Sequence, residues 1–345
     1  MIKTIMHTYL KQKMNIRISK PCCYTAQGGK PNQEDSLFPA RGKADKTTRV
    51  FIVCDGMGGH EKGEVASACV AESIGKTTAG HRLCTTAEMR GVIEMSLTVA
   101  YHNLDALDTS DTRNKMGTTL AMAAICSDGI LTAHIGDSRV YQLRPGVGVV
   151  FRTRDHSLVN DLIAAGELTE SEARDFPQRN VITRAIQPHQ DYPAKASYTT
   201  LTDIRKGDVI FICCDGVIEQ LDDNDLCRLL LSGKPLDKRI EKIEEECMRR
   251  HTRDNNTAYL IGIEEAKGMG EKTVATAHDN GEEMAEVSVI RKSWWQSPKL
   301  WIIISVTVMV MIIALIFMSA PEDKKQERKQ EKPEKEQVQG LIRRH

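Results

Sequence analysis

Two stretches of this chain are near copies: FIVCDG at 51–56 and FICCDG at 211–216. An apolar run of this kind stays buried as a strand up to Cys54 or Cys214, and an aspartate then stands at its open end. Two such aspartates in like settings can converge on one site. After Asp55 come Gly56, Gly58, Gly59 and Gly63. Glycine has no Cβ and lets backbone approach closely, so these four point to a tight rim around a bound ion or anion. An ordinary turn after a strand would use the same residues, and this stretch alone does not separate the two readings.

At 345 residues, 41% of them hydrophobic, the chain can bury one large domain or two ordinary ones. Lys+Arg and Asp+Glu both number 47, so no basic excess points to nucleic acid and no acidic excess points to disorder. The ten cysteines include the adjacent pairs Cys22–Cys23 and Cys213–Cys214, and show no CxxC spacing. Several lie in apolar runs, where free cysteine packs as a small hydrophobe, and the expectation is a reduced, cytosolic catalytic region. The first twenty residues carry Lys and His in every apolar stretch and lack the core of a secretory signal.

Residues 300–320 (LWIIISVTVMVMIIALIFMSA) contain no charge and are long enough to cross a bilayer as a helix. Globular helices rarely stay apolar on all faces for this length. Trp294, Trp295 and Trp301 add an interfacial aromatic signal. The expected organisation is an N-terminal extension (1–13), a catalytic domain (14–264), a linker (265–299), a transmembrane helix (300–320) and a polar charged tail (321–345). Arg291, Lys292 and Lys299 precede the span, and Lys324, Lys325, Arg328, Lys329, Lys332 and Lys335 follow it. Taken alone, that imbalance puts the tail in the cytoplasm. Nothing ahead of residue 300 directs translocation of the cysteine-rich domain, however, so the expectation is a single-pass protein at the cell membrane with its catalytic domain facing the cytoplasm.

Between 14 and 264 strands and helices alternate. RVFIVCD, GTTLAMAAIC, GILTAHIGDS, RVYQL, DVIFICCD and TAYLIGI read as strands. Residues 64–77 and 86–107 carry helical spacing; in the second, Met89, Ile93, Leu97 and Tyr101 recur every fourth residue. Hairpins are expected at 126–130 (CSDGI) and at 136–139 (GDSR). Together these predict an antiparallel sheet with helices packed outside, an α+β layered domain.

Around the two strand-end aspartates stand NQEDS (32–36), IGDSR (135–139) and RDNNT (253–257). Oxygen donors without a His/Cys set suit hard cations such as Mg²⁺ or Mn²⁺. Any one of these acids is more simply a turn or cap residue. Their number, each beside Gly or Asn and several ending apolar strands, raises the metal reading.

In order and wording, NQEDS, VCDGMGGHEKGEVAS, MGTT, HIGDSRVY, RDHSLV, NVITRAI, CCDGV and DNNT resemble the metal-dependent serine/threonine protein phosphatases of the type 2C family, in their bacterial form. The resemblance spans residues 16–264. It implies two packed antiparallel sheets flanked by helices, an α-β-β-α sandwich, with a dinuclear Mn²⁺ or Mg²⁺ site at one end. Carried onto this chain, it implies that Asp55 bridges two metals, that Asp215 and Asp254 complete one, and that Glu34 and the Gly56 carbonyl serve the other. Asp35 would stand behind them, holding a water on a metal, and Asp137 would belong to a third, weaker ion shared with Asp215. Two cations about 3.5–4 Å apart activate a bridging water for in-line attack on phosphorus.

Three positions depart from the family pattern. Lys30 in GGKPNQED stands where an arginine usually meets the substrate phosphate, and lysine lacks the planar fork that grips two oxygens. Glu219 replaces the usual aspartate after Asp215 and is a weaker candidate for the third ion. Met57 stands where eukaryotic relatives place a general-acid histidine; His60 nearby is read as structural. Residues 154–186 resemble the family's flap beside the active site, and its charged helix faces equally suit plain solvated surface. The resemblance implies hydrolysis of phosphoserine and phosphothreonine on phosphoproteins, reversing a bacterial-type Ser/Thr kinase. The alternative is a membrane-tethered pseudophosphatase that scaffolds phosphoproteins; the presence of Glu34, Asp35, Asp55, Asp215 and Asp254 favours catalysis.

Overall fold

The computed structural model describes residues 15–58, 62–81, 84–109, 116–267 and 274–276. One antiparallel sheet runs in the order β1 (Asn15–Ile18), β13 (Asn256–Lys267), β12 (Val209–Cys213), β9 (Arg139–Arg144), β10 (Gly148–Arg152). The long β13 pairs along one edge with β2 (Cys22–Ala26) near its start and with β1 near its end. The second sheet runs β14 (Val274–Thr276), β11 (Ser197–Leu201), β8 (Ile130–Ile135), β7 (Leu120–Ile125), β4 (Val50–Cys54), β3 (Ser36–Phe38). A short ladder of β5 (Gly56–Met57) and β6 (Gly117–Thr118) lies beside its β4–β7 end.

Side-chain alternation explains why β4 is apolar throughout. Phe51 and Val53 join a core that also holds Phe211, Ile212 and Tyr259 of the other sheet, and the Phe51 and Tyr259 rings meet edge to face at 5.3 Å. Val50, Ile52 and Cys54 point the other way, into a core with Val70 and Ile74 of α1 (Gly63–Ala79) and Met89, Ile93 and Leu97 of α2 (Thr86–Leu107). Each such side chain contributes about 1.5–3 kcal/mol by leaving water. The helical spacing expected in 64–77 and 86–107 is therefore the face that covers the second sheet. A reciprocal capping box between Thr85 and Glu88 starts α2.

After β10 come α3 (Leu158–Ala165) and α4 (Glu170–Arg174), and after β12 the short α5 (Asp215–Ile218). On the first sheet's outer side, α6 (Asp223–Leu230) and α7 (Leu236–Arg249) bury Leu226, Leu230, Ile240 and Ile243. The result is the expected α-β-β-α layering.

One expected connection is different. Residues 126–130 do form a hairpin between β7 and β8, closed by Cys126 N–H to the Gly129 carbonyl at 2.8 Å. Residues 136–139 do not: β8 pairs with β7 and β11, whereas β9 pairs with β10 and β12 in the other sheet. Gly136, at φ 96°, turns the chain from one sheet into the other. Asp137 therefore stands at the end of the sandwich where the two sheets meet.

Part of the segment expected as a linker from residue 265 is strand. Residues 265–267 are still in β13, and 274–276 pair with β11. All ten cysteines are free thiols. Among the described residues no helix is long and apolar enough to cross a membrane. The expected extension 1–13, the span 300–320 and the tail 321–345 lie outside the described residues, as does His60.

Candidate active site

Asp55 leaves the end of β4, and Asp215 follows β12 by one residue. Their strands belong to different sheets, yet the two carboxyl groups come close enough to act on each other's ionisation. Phe51, Val53 and Phe211 pack between the sheets and bring the two strand ends to one place. Asp35, just before β3, is buried close by. One oxygen each of Asp35 and Asp55 and the Sγ of Cys214 lie within 4.8 Å of one another.

Backbone contacts fix this arrangement. Asp55 donates its N–H to Thr119 Oγ1 at 3.0 Å, and its carbonyl accepts from the Thr118 hydroxyl at 2.8 Å and from Thr119 N–H at 2.9 Å. Thr119 Oγ1 also meets Ser138 Oγ at 2.7 Å, which ties Asp55 to the Asp137 turn. Asn255 is a second clamp. Its Nδ2 donates to the Gln27 and Asn32 carbonyls at 2.8 and 2.9 Å, and its Oδ1 accepts the Glu34 N–H at 2.8 Å. The Glu34–Asp35 loop is thereby set against the Asp254 loop.

The glycines are where backbone crowds. A Cβ on Gly56 would stand 2.3 Å from the carbonyl oxygens of both Glu34 and Gly63, and one on Gly216 2.0 Å from the Asn255 carbonyl. No side chain fits at either position. The close approach inferred for Gly56 is thus of backbone to backbone; Gly63 is the second residue there, and a Cβ on it would meet the Glu34 carboxyl at 2.9 Å.

Electrostatically the site is strained by its own acids. Burial, then Asp35 and Asp215, pushes the Asp55 carboxyl well above the ordinary carboxylate range. Burial lifts Asp35 to about 7, the nearby Thr257 and Cys214 side chains offsetting part of the effect. Asp137 also rises to about 7, from burial and then Asp215. Asp215 is raised by burial, the neighbouring Asp55 carboxyl opposing part of the shift. Both Asp35 oxygens and Asp215 Oδ1 are shut from solvent with no hydrogen-bond partner. Converging carboxylates that repel one another and lack donors are a donor set for a hard cation, and the residues fit Mn²⁺ or Mg²⁺.

The remaining expected residues lie around this centre. Asp254 takes the Lys30 ammonium at 2.9 Å and its own neighbour's Asn255 N–H at 2.8 Å. Lys30 is thus at the site's rim on a carboxylate expected to hold metal. Burial raises Glu34, and Lys30 counteracts it. Glu219 is exposed as a residue, with its carboxyl partly desolvated against the site; its Oε1 accepts from Asn180 Nδ2 of the 154–186 segment at 3.2 Å, and that desolvation, then Asp215, raises the carboxyl. That segment is fastened to the Asp137 turn. Arg139 holds Asp155 with two bonds of 2.7 and 2.6 Å, and His156 Nδ1 accepts the Gly136 N–H at 3.1 Å.

Thr118, Thr119, Asn255 and Cys214 carry no legible role in the sequence alone. MGTT and DNNT stood out as motifs, but which partner each side chain meets is a matter of pairing distant segments. Cys214 looked like the last apolar residue of a strand.

Residues 25–253 match the family model described as Protein phosphatase 2C. The chain belongs to the protein phosphatase 2C family. It is 30% identical over 234 residues to the protein phosphatase PhpP of Streptococcus pneumoniae, covering 68% of this chain and 93% of the relative. The solved serine/threonine phosphatase of S. agalactiae superposes with a TM-score of 0.63 at 31% identity, covering 73% of this chain and all of that one. The catalytic domain of the serine/threonine protein phosphatase PstP, solved in complex with two manganese ions, shares the fold with a TM-score of 0.57 at 24% identity over 72% of this chain and 99% of that domain. This protein phosphatase 2C is accordingly a bacterial-type serine/threonine protein phosphatase, of a family that uses Mn²⁺ or Mg²⁺.

Proposed function

We propose that this phosphatase hydrolyses phosphoserine and phosphothreonine on proteins with a dinuclear Mn²⁺ or Mg²⁺ centre, reverses a Ser/Thr kinase, and is tethered to the cell membrane with its catalytic domain in the cytoplasm. The observation that carries the chemistry is the meeting of Asp55 and Asp215 from two sheets, with the unpartnered oxygens of Asp35 and Asp215 beside them. Asp55 would serve both ions, Asp215 and Asp254 one of them, and Glu34 with the Gly56 carbonyl the other. A third, weaker ion would take Asp137 and, less strongly, Glu219. Bound there, the ions supply Lewis acidity and an activated water for attack on phosphorus.

The chain's own residues do the rest. Thr118, Thr119 and Asn255 hold the ligand backbones in place by the bonds given above. Asp35, buried at 8% exposure, has two oxygens free to accept a proton from the attacking nucleophile and orient it. Lys30 pairs with Asp254 at the rim of the site, and a phosphate entering there would compete with Asp254 for its ammonium. Met57 has no proton to give a leaving alkoxide, so water supplies it. Support for the tether comes from the uncharged run 300–320 and its flanking tryptophans. The scaffold alternative is not favoured, since the acids that catalysis needs are all present.

The test is phosphate release from a phosphothreonine peptide by the full-length protein in detergent, with and without Mn²⁺, beside Asp215→Asn. Release is expected to require Mn²⁺ and to fall at least a hundredfold in the variant. Silence towards several phosphopeptides from a folded protein at millimolar Mn²⁺ would leave the scaffold reading. Cell fractionation with protease accessibility tests the tether: the chain is expected in the membrane fraction, its catalytic domain protected in intact cells.

A further inference from the structure

We propose that Asp35, Asp55 and Cys214 form a site for a thiophilic divalent cation of the Zn²⁺ class, which arrests the phosphatase by drawing Asp55 away from the catalytic ions. The proposal rests on Asp55 being a ligand of those ions. Hard-cation centres are built from oxygen, yet one of the donors here is sulfur. The Cys214 Sγ and one oxygen from each aspartate lie within 4.8 Å of one another. Donors so spaced sit at most about 2.8 Å from a common centre, against about 2.0–2.3 Å in a formed zinc site, so side-chain rotations of a few tenths of an ångström would close it.

Two further observations point to a ligand there. Asp35 is 8% exposed, and neither of its oxygens has a hydrogen-bond partner. Cys214, wholly buried, already accepts the Thr257 N–H on its sulfur at 3.1 Å, the kind of bond that disperses charge on a metal-bound thiolate. Its own S–H donates to the Asn255 carbonyl at 3.5 Å. On binding, the thiol proton leaves to solvent, the sulfur lone pair goes to the cation, and the Thr257 N–H remains in place. Two carboxylates and a thiolate then face one dication, a mixed set that favours Zn²⁺ over Mn²⁺ both by ligand softness and by the general affinity order.

The test uses the full-length protein in detergent with excess Mg²⁺ present. Zinc affinity is measured by competition with a chromophoric chelator for the wild type, Cys214→Ser, Asp35→Asn and, as a control thiol away from the site, Cys227→Ser. X-ray absorption of the wild type at one equivalent of Zn²⁺ reads the ligand shell without any substitution. The expected result is a single sulfur with oxygen neighbours in the wild type. Zinc affinity should be at least tenfold weaker in Cys214→Ser and Asp35→Asn and unchanged in Cys227→Ser. A shell without sulfur, or Cys214→Ser binding Zn²⁺ as tightly as the wild type, overturns the site. Mn²⁺-dependent phosphate release without zinc is assayed in parallel. Its absence would tell against the phosphatase reading itself, whereas its presence with an all-oxygen zinc shell would tell against the zinc site alone.

Discussion

Lys30 shows how one residue carries two demands. Its ammonium is 2.9 Å from Asp254, neutralising a carboxylate that the bound centre would otherwise use, and it is also the cation proposed to meet a substrate phosphate. A point charge serves either partner but cannot span two phosphate oxygens. Lys30→Arg is therefore expected to lower KM for a phosphopeptide severalfold with kcat little changed, measured by steady-state kinetics in Mn²⁺; an unchanged or higher KM would show that residue 30 does not meet the phosphate. The residue types at this centre were legible in the sequence because a carboxylate after an apolar run is a local pattern. The ion pair was not, since it joins residues 30 and 254.

At the level of elements, the site depends on the junction between β4, β6 and the turn after β8. Thr119 is 1% exposed, and its hydroxyl serves both the Asp55 N–H and Ser138. Thr119→Val leaves a buried N–H and a buried hydroxyl unpaired, a cost of about 1–3 kcal/mol. It also frees the Asp55 backbone, and misplacing a reacting group by about 1 Å can cost a hundredfold in rate. A lower melting temperature together with a fall in kcat of tenfold or more is expected. Full kcat in a destabilised variant would separate packing from positioning. The turn at 136–139 carries the corresponding lesson. Gly-Asp-Ser-Arg has the composition of a hairpin, and composition cannot say that β9 finds its partners in β10 and β12 rather than β8.

For the whole molecule, a cluster of buried acids links stability to pH. Asp35 and Asp137 titrate near 7 in the folded, metal-free protein, against about 3.9 for an unperturbed aspartate. Below about pH 4 both states are protonated. Between there and pH 7 the folded state holds protons that the unfolded state has released, so stability falls as pH rises through this window. The melting temperature of the metal-free protein is expected to drop from pH 5 to pH 8. Asp35→Asn should flatten the profile. Mn²⁺, which binds ionised carboxylates, should raise the melting temperature most at pH 8. A metal-free protein that gains stability between pH 5 and pH 8 would contradict the burial of these acids.

By itself the sequence determined the local parts: apolar strands that end on Asp55 and Asp215, glycines where backbone must approach backbone, the apolar faces of α1 and α2, and an uncharged run long enough to span a bilayer. Each follows from side-chain period and chain stiffness within a short window. Only the tertiary structure decided that the two near-identical strands lie in facing sheets, that the chain crosses between those sheets at Gly136, that Asn255 clamps the Glu34 loop, and that Cys214 turns its sulfur toward Asp35 and Asp55. These relations join residues tens to hundreds of positions apart. They are set by which apolar faces bury one another, and no local pattern encodes that choice.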